Sequence, residues 1–515
     1  MARPSTKLAE SLGVLSALQE QGFFAIRSGD LTRTHRERLL KSGFLHEVMK
    51  GWYIPARPEE AAGQTTTWYA AFWHFCATYL HRRKGHDWCL SAEQSIALHV
   101  GNWTVPQQLV VRAAKARNHI TNLPHDTALL DVRATLPDEA DVVEVEGLRL
   151  YTLPAALVAC APGCFVRHPI DLRAALGMIQ DASEVLGRLL DHGHSTIAGR
   201  LVGAFRNIGR TRIADDIAAA MGAAGYVVRE HDPFDDQQLP LSPARPLPPV
   251  VTRIRLLWRA MRSMVVERFA RPPRRRMVAA DYLQQIEEAY VADAYHSLSI
   301  EGYQVSEALI ARVAGGRWNP DDSAVDRDQR NALAARGYWQ AYQAVRGSVA
   351  RVLQGDDPGA VAEQDHRAWY RELFAPSVTA GLLTAGDLAG YRDGPVYLRG
   401  SMHVPPRCEA VRDAMPALFD LLAEETEPAV RAVLGHFLFV YIHPYPDGNG
   451  RMGRFLMNVM LAAGGYRWTV IPVQERGGYL AALEAASVRQ DIAPFTRFLD
   501  RLVAHGGAAH EPRRR

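Results

Sequence analysis

His443-Pro-Tyr-Pro-Asp-Gly-Asn-Gly-Arg-Met-Gly-Arg454 gathers a base, a carboxylate, two loop glycines and two arginines into one short segment. Imidazole, with an ordinary pKa of about 6.5, serves as a general base near working pH. Gly448 and Gly450 strip side chains from a turn, so that peptide N–H groups converge at the start of a helix, where the dipole also favours anions. Arg451 and Arg454 are three apart in the first helical turn, on neighbouring positions of one face, and offer several donors to phosphate oxygens. Asp447 is a hard oxygen ligand, and Mg²⁺ takes one or two carboxylates and completes its shell with phosphates and water. These capacities add up to nucleotide phosphate transfer.

Two apolar helices must position this loop. Val430, Val433, Leu434, Phe437 and Val440 recur at helical spacing, and Pro444 ends that run just after the histidine. Phe455, Leu456, Val459, Met460 and Leu461 predict a second helix whose first turn begins near Gly450 and Arg451. Further upstream, Val396 to Pro406 alternates and then stops at a proline pair, which predicts a short β-hairpin flap.

The loop resembles the signature of the Fic domain, His-Pro-aromatic-x-Asp/Glu-Gly-Asn-Gly-Arg-x-x-Arg, with Tyr445 at the aromatic position. Most Fic proteins are AMP transferases, in which the histidine deprotonates a target hydroxyl that attacks the α-phosphorus of ATP and expels pyrophosphate. The resemblance implies His443 as base, Asp447 on Mg²⁺ (with Mn²⁺ as an alternative ion), Asn449 with the Gly448 and Gly450 amides on the α-phosphate, and Arg451 and Arg454 on the β- and γ-phosphates. It implies that the flap, with Val396, Tyr397, Leu398, Arg399 and Gly400, holds the target by strand addition, and that Tyr479 of Arg476-Gly-Gly-Tyr479 lies near the adenine. Ser297-x-x-x-Glu301-Gly302 resembles the family's inhibitory-helix motif, expected here near 283–303. There the glutamate takes the second signature arginine, Arg454, and pushes the γ-phosphate out of its productive position, because a carboxylate in the guanidinium fork excludes a phosphate from it. The implied partners are ATP and a protein bearing a Ser, Thr or Tyr hydroxyl, the chain itself included. Two alternatives stay open: removal of AMP or transfer of another nucleotide or phosphate group, and a DNA-binding regulator or antitoxin-like protein whose Fic domain senses nucleotide.

The chain has 515 residues, enough for several domains, and a net charge of +3, which sets up no global field for nucleic acid. Five cysteines, few and odd in number, argue against a disulfide framework and for free thiols in a reducing cytoplasm. No signal region and no run of roughly 18 apolar residues is seen, which predicts a cytoplasmic protein with no membrane partner. Near the N-terminus, Leu8, Leu12, Leu15 and Leu18 mark a helix, Phe23 to Ile26 an apolar link, Leu31 to Gly43 a basic helix, and Phe44 to Ile54 a hairpin wing around Lys50 and Gly51. That order predicts a winged helix-turn-helix with Arg33, His35 and Arg36 toward DNA, and it resembles the N-terminal domain of AbiEi-type antitoxins.

The expected fold is multi-domain and mainly α. A winged helix-turn-helix over 1–56 is followed by a mixed α/β antitoxin-like domain over 57–230, with a helix from Ser91, a strand from Gln108 and a strand pair around Glu146 and Gly147. A Pro/Arg-rich linker and helix occupies 231–276, an all-α Fic core with its β-hairpin flap 277–506, and a disordered tail 507–515. Oligomeric state is left open, with room for a homo-oligomer.

Overall fold

The computed structural model describes residues 4–21, 23–56, 58, 65–191, 193–234, 239, 247–273, 276–316 and 329–505. Two compact units divide the chain: the first comprises 1–253 with 397–404, the second 254–396 with 405–515. The 507–515 tail and most of the Pro-rich stretch before 247 lie outside the described residues. Among the described residues no helix is long and apolar enough to cross a membrane. All five cysteines are free thiols, and four of them are buried.

The first unit begins with a helix, Pro4–Glu20, then strand β1 (Ile26–Arg27), a second helix, Arg33–Lys41, and strands β2 (Leu45–Met49) and β3 (Trp52–Pro55). The Thr32 hydroxyl caps the second helix by accepting from the His35 N–H. The strands pair antiparallel in the order β1-β3-β2, with an irregularity between Glu47 and Met49. The expected link at 23–26 thus contributes a third strand, because Ile26 is fully buried beneath Leu15, Leu39 and Tyr53 and pairs with Tyr53.

Ala25 and Ile54 of this N-terminal head belong to the same buried cluster as Trp68, Phe72 and Phe75 of the Thr66–Lys84 helix, so the apolar core runs across the expected division. Strands β4 (Cys89–Leu90), β5 (Gln108–Ala113), β6 (His119–Asn122) and β7 (Ala128–Arg133) form a sheet of order β4-β5-β7-β6, in which only β5 and β7 run parallel. Strands β8 (Val142–Val145) and β9 (Leu148–Tyr151) make a separate hairpin, and helices follow from Leu153 to Ala223. The expected linker is in part helix, since Pro249–Arg268 is helical with Ile254, Leu257 and Val265 buried.

The flap differs from its prediction. Among the described residues no strand forms over 396–406, and the chain instead turns at Arg399 and Gly400, with the Ser401 N–H donating to the Leu398 carbonyl at 3.2 Å. Pro405 and Pro406 have no N–H to give, and the Met402 carbonyl accepts from the Val105 N–H at 2.8 Å, while Met402 and Val404 pack on the first unit's core.

The second unit is helical. Ala279–Ile300, Glu307–Ala314, Gln329–Leu353, Pro358–Thr379, Cys408–Glu424, Pro428–Ile442, Asn449–Ala463, Arg476–Arg489 and Ala493–His505 form its main helices. Two of them are the helices read on either side of the signature loop. Both are buried nearly all round, Pro428–Ile442 through residues such as Val433, Phe437 and Leu438, and Asn449–Ala463 through Phe455, Val459 and Met460. Helices of that kind sit at the centre of a bundle and hold a connecting loop rigidly between them.

Candidate active site

The Pro428–Ile442 helix is closed by His443, whose N–H donates to the Phe439 carbonyl at 3.0 Å while its own backbone takes the left-handed conformation, φ 53 and ψ 61. A non-glycine residue in that region is strained, and the following proline adds to the cost. His443 Nδ1 lies 3.2 Å from the Val440 carbonyl, an acceptor, so Nδ1 carries the proton and Nε2 the lone pair. Burial drives the imidazole pKa down to about 4, and the Arg392 charge acts in the same direction, so the ring is neutral at working pH.

Between the two helices the loop is pinned by Asn449. Its Oδ1 accepts from the Tyr445 N–H at 2.9 Å and its Nδ2 donates to the Tyr445 carbonyl at 2.7 Å. The residue expected on the α-phosphate thus uses its side chain to staple the turn, and its contribution toward an anion is the backbone N–H. Tyr445 stacks on Tyr370 with centroids 3.8 Å apart, anchoring the loop to the Pro358–Thr379 helix. Gly448, at φ 82, caps the second helix, and a Cβ there would lie 2.9 Å from the Phe374 ring. The first intrahelical bond runs from the Met452 N–H to the Gly448 carbonyl at 2.9 Å, so the amides of Asn449, Gly450 and Arg451 form the open N-terminal turn.

The two arginines face different partners. Arg451, 1% exposed, has its guanidinium between the rings of Tyr303 and Phe374, at 5.2 and 5.1 Å from their centroids, with Nη2 3.3 Å from Asp447 Oδ2. Arg454 donates from Nε to Ser297 Oγ at 2.8 Å, and from Nη2 to the Ser297 carbonyl at 3.1 Å and Glu301 Oε1 at 2.7 Å. Burial works to raise the Glu301 pKa, but the charges of Arg454 and Arg451 outweigh it and hold the carboxyl below its ordinary range. The same carboxylate presses on Gly450, where a Cβ would lie 2.3 Å from Oε1. Arg451 Nε and Arg454 Nη1 are buried donors with no acceptor, which is costly unless an anion visits them.

Ser297 and Glu301 reach Arg454 because they lie four apart at the C-terminal end of the Ala279–Ile300 helix, and Glu301 is its C-cap. Asp293, one turn earlier, accepts from the Tyr338 hydroxyl at 2.7 Å, and burial raises its pKa to about 6. Sequence reading missed Asp293, although its spacing from Ser297 places it on the same face. The helix is tied at its end by Arg476, whose Nε donates to the Ile300 carbonyl at 2.7 Å, and His296 Nδ1 accepts from the Val473 N–H at 3.3 Å. Tyr479, expected near the adenine, is buried with its hydroxyl 2.8 Å from His436 Nε2, and burial pushes its pKa to about 12. Asp447 accepts from the Gly448 N–H at 2.6 Å and keeps 65% of its side chain exposed.

The residues read toward DNA are engaged within the head. Arg33 pairs with Glu37 at the surface, His35 hydrogen-bonds Ser11 Oγ through Nδ1, and Arg36 donates to the Ser28 carbonyl and lies over the Tyr53 ring.

Residues 360–461 match the family model described as "Fic/DOC family". Protein adenylyltransferase Fic of Drosophila willistoni is 30% identical over 216 residues, covering 41% of this chain and 40% of that protein. Protein adenylyltransferase Fic of Nematostella vectensis is 31% identical over 221 residues, covering 42% of this chain and 47% of that one. This chain thus spans less than half the length of these curated relatives. Among solved structures, Fic-1 from C. elegans superposes with a TM-score of 0.36 at 20% identity, over 65% of this chain and 96% of that one. A Fic family protein from Desulfovibrio desulfuricans G20 does so with a TM-score of 0.35 at 21% identity, over 53% and 78%. With the signature loop, its two helices and the family match lying on one stretch, residues 360–461 of this chain are a Fic domain.

Proposed function

We propose that this chain transfers AMP from ATP to a hydroxyl group of a protein and holds itself in check through the segment from Ser297 to Tyr303. The observation that carries the transfer is the pair of buried, acceptor-less guanidinium donors at the open N-terminus of the Asn449–Ala463 helix, which follows a histidine whose Nε2 bears its lone pair. Two orphaned cationic donors at a helix N-terminus fit a polyphosphate. His443 Nε2 takes the proton of the target hydroxyl as its oxygen forms a bond to the α-phosphorus. The bond from that phosphorus to the bridging oxygen of the β-phosphate breaks, and pyrophosphate leaves with the electron pair. The amides at 449–451 and the two arginines hold the phosphates, so positioning and electrostatics supply the rate.

Asp447 suits Mg²⁺, since one largely exposed carboxylate leaves the remaining ligands to phosphates and water. When bound, the ion would neutralise phosphate charge.

Autoinhibition has two arms in this reading. Glu301 fills the Arg454 fork that a terminal phosphate needs, and Tyr303 covers Arg451. The test of the base is His443→Ala, which should abolish AMP incorporation and leave the Kd for ATP nearly unchanged. Undiminished incorporation would rule out the assignment.

A further inference from the structure

Arg392 was not singled out by any motif, yet it is 3% exposed and its side chain is committed wholly to main-chain carbonyls. Nε donates to the His443 carbonyl at 2.8 Å and Nη2 to the Ile442 carbonyl at 3.5 Å, gripping the left-handed turn that carries the base. Nη1 donates to the Gly394 carbonyl at 3.0 Å, and Nη2 also donates to the Pro406 carbonyl. Gly394 lies just before and Pro406 at the end of the Val396–Pro406 segment, the expected flap, and the two form its roots. The Arg392 N–H adds a bond to the Pro444 carbonyl at 2.9 Å.

We propose that Arg392 is a positioning residue that fixes the catalytic histidine and both roots of the target-docking segment as a single piece. The inference rests on the transferase reading above and extends it to a residue outside the signature. A strained left-handed histidine before a proline persists only where its surroundings over-determine it, and one planar guanidinium with donors in a fixed fork can hold four carbonyls that converge from separate segments. An ammonium group concentrates its donors at one point and cannot span the same set. Release of the His443 carbonyl frees the turn, and with it the Nδ1–Val440 bond that keeps the lone pair on Nε2.

The test compares Arg392→Lys with its parent in a Glu301→Gly background. Turnover for AMP incorporation from α-labelled ATP should fall ~10–100-fold, as a small misplacement of a base does, while the calorimetric Kd for ATP stays within about twofold. The acid limb of the pH–rate profile should move from about 4 toward 6.5 as the ring loses its enclosure and the fixed charge beside it shifts. Titration of a carbon-labelled His443 imidazole by NMR reads the same displacement without turnover. It therefore decides the Arg392 inference even where the parent transfers no label and the transferase reading itself fails. If Arg392→Lys does not fold, Arg392→Gln, which keeps hydrogen bonds and removes charge, is measured in its place, with a larger loss expected. An unchanged rate with an unchanged titration overturns the proposal, and so does a loss in which ATP affinity and thermal midpoint fall in step with turnover.

Discussion

Replacing Glu301 by glycine removes the acceptor that Arg454 Nη2 holds at 2.7 Å. Arg454 is 5% exposed in that pair and Glu301 28%, so the contact lies between a buried and a surface ion pair. Hydrogen bonds to charged groups contribute about 1.5–3 kcal/mol and exposed ion pairs about 0–1 kcal/mol, which places this one near 1.5–2 kcal/mol. At about 1.4 kcal/mol per tenfold, the state with Arg454 open to phosphate gains about 10- to 30-fold in population. The assay is the initial rate of self-modification with α-labelled ATP and Mg²⁺, at ATP below its KM, so that the rate follows the open population. Glu301→Gln, which retains a neutral acceptor for the same guanidinium, should fall between wild type and Glu301→Gly. Equal rates for wild type and Glu301→Gly refute the argument that the carboxylate competes for Arg454.

Tyr303→Leu should activate independently of Glu301→Gly, because it uncovers Arg451 rather than Arg454; a double variant no faster than Glu301→Gly alone contradicts the second arm. The His443 pKa is depressed in the fold, so the neutral base persists as pH falls below 6.5 and is lost only through about 4; the Glu301→Gly rate should therefore be flat down to about pH 6 and decline below about 5, and a limb centred at 6.5 contradicts the buried base. Buried His366 and His436, depressed to about 4 and about 3, add stability that is fully present above 6.5 and lost through those values, so the thermal midpoint should fall over that window. Asn449→Ala removes both bonds to the Tyr445 backbone and should cost about 2–4 kcal/mol in a denaturant titration; a loss under about 0.5 kcal/mol shows that the staple does not hold the loop.

The signature loop was legible because its parts are contiguous and each residue type has its own chemistry. The two flanking helices were legible because their apolar residues recur at helical spacing. Ser297 and Glu301 were legible through their spacing on one helix, and the structure brings both to Arg454. What escaped was contact between segments distant in sequence. Arg392 acts on carbonyls brought together by tertiary packing, and a carbonyl has no residue type to read. The contacts of the Tyr303 and Phe374 rings with Arg451 depend likewise on segments distant in sequence meeting. The flap misled because alternation predicts a strand only where a partner strand exists, and its Met402 carbonyl is taken by Val105 of the first unit. At Asn449 the sequence motif did not disclose the side-chain bonds to the Tyr445 backbone that hold the loop's own geometry.

The proposed reaction transfers AMP and not the terminal phosphate. Glu301→Gly protein incubated with Mg²⁺ and either α-labelled or γ-labelled ATP, then denatured and separated from free nucleotide, tests it directly. Protein-bound label is expected from α-labelled ATP, none from γ-labelled ATP, and none from either when His443→Ala is added. Label retained from the γ position, or α-label that survives His443→Ala, contradicts it.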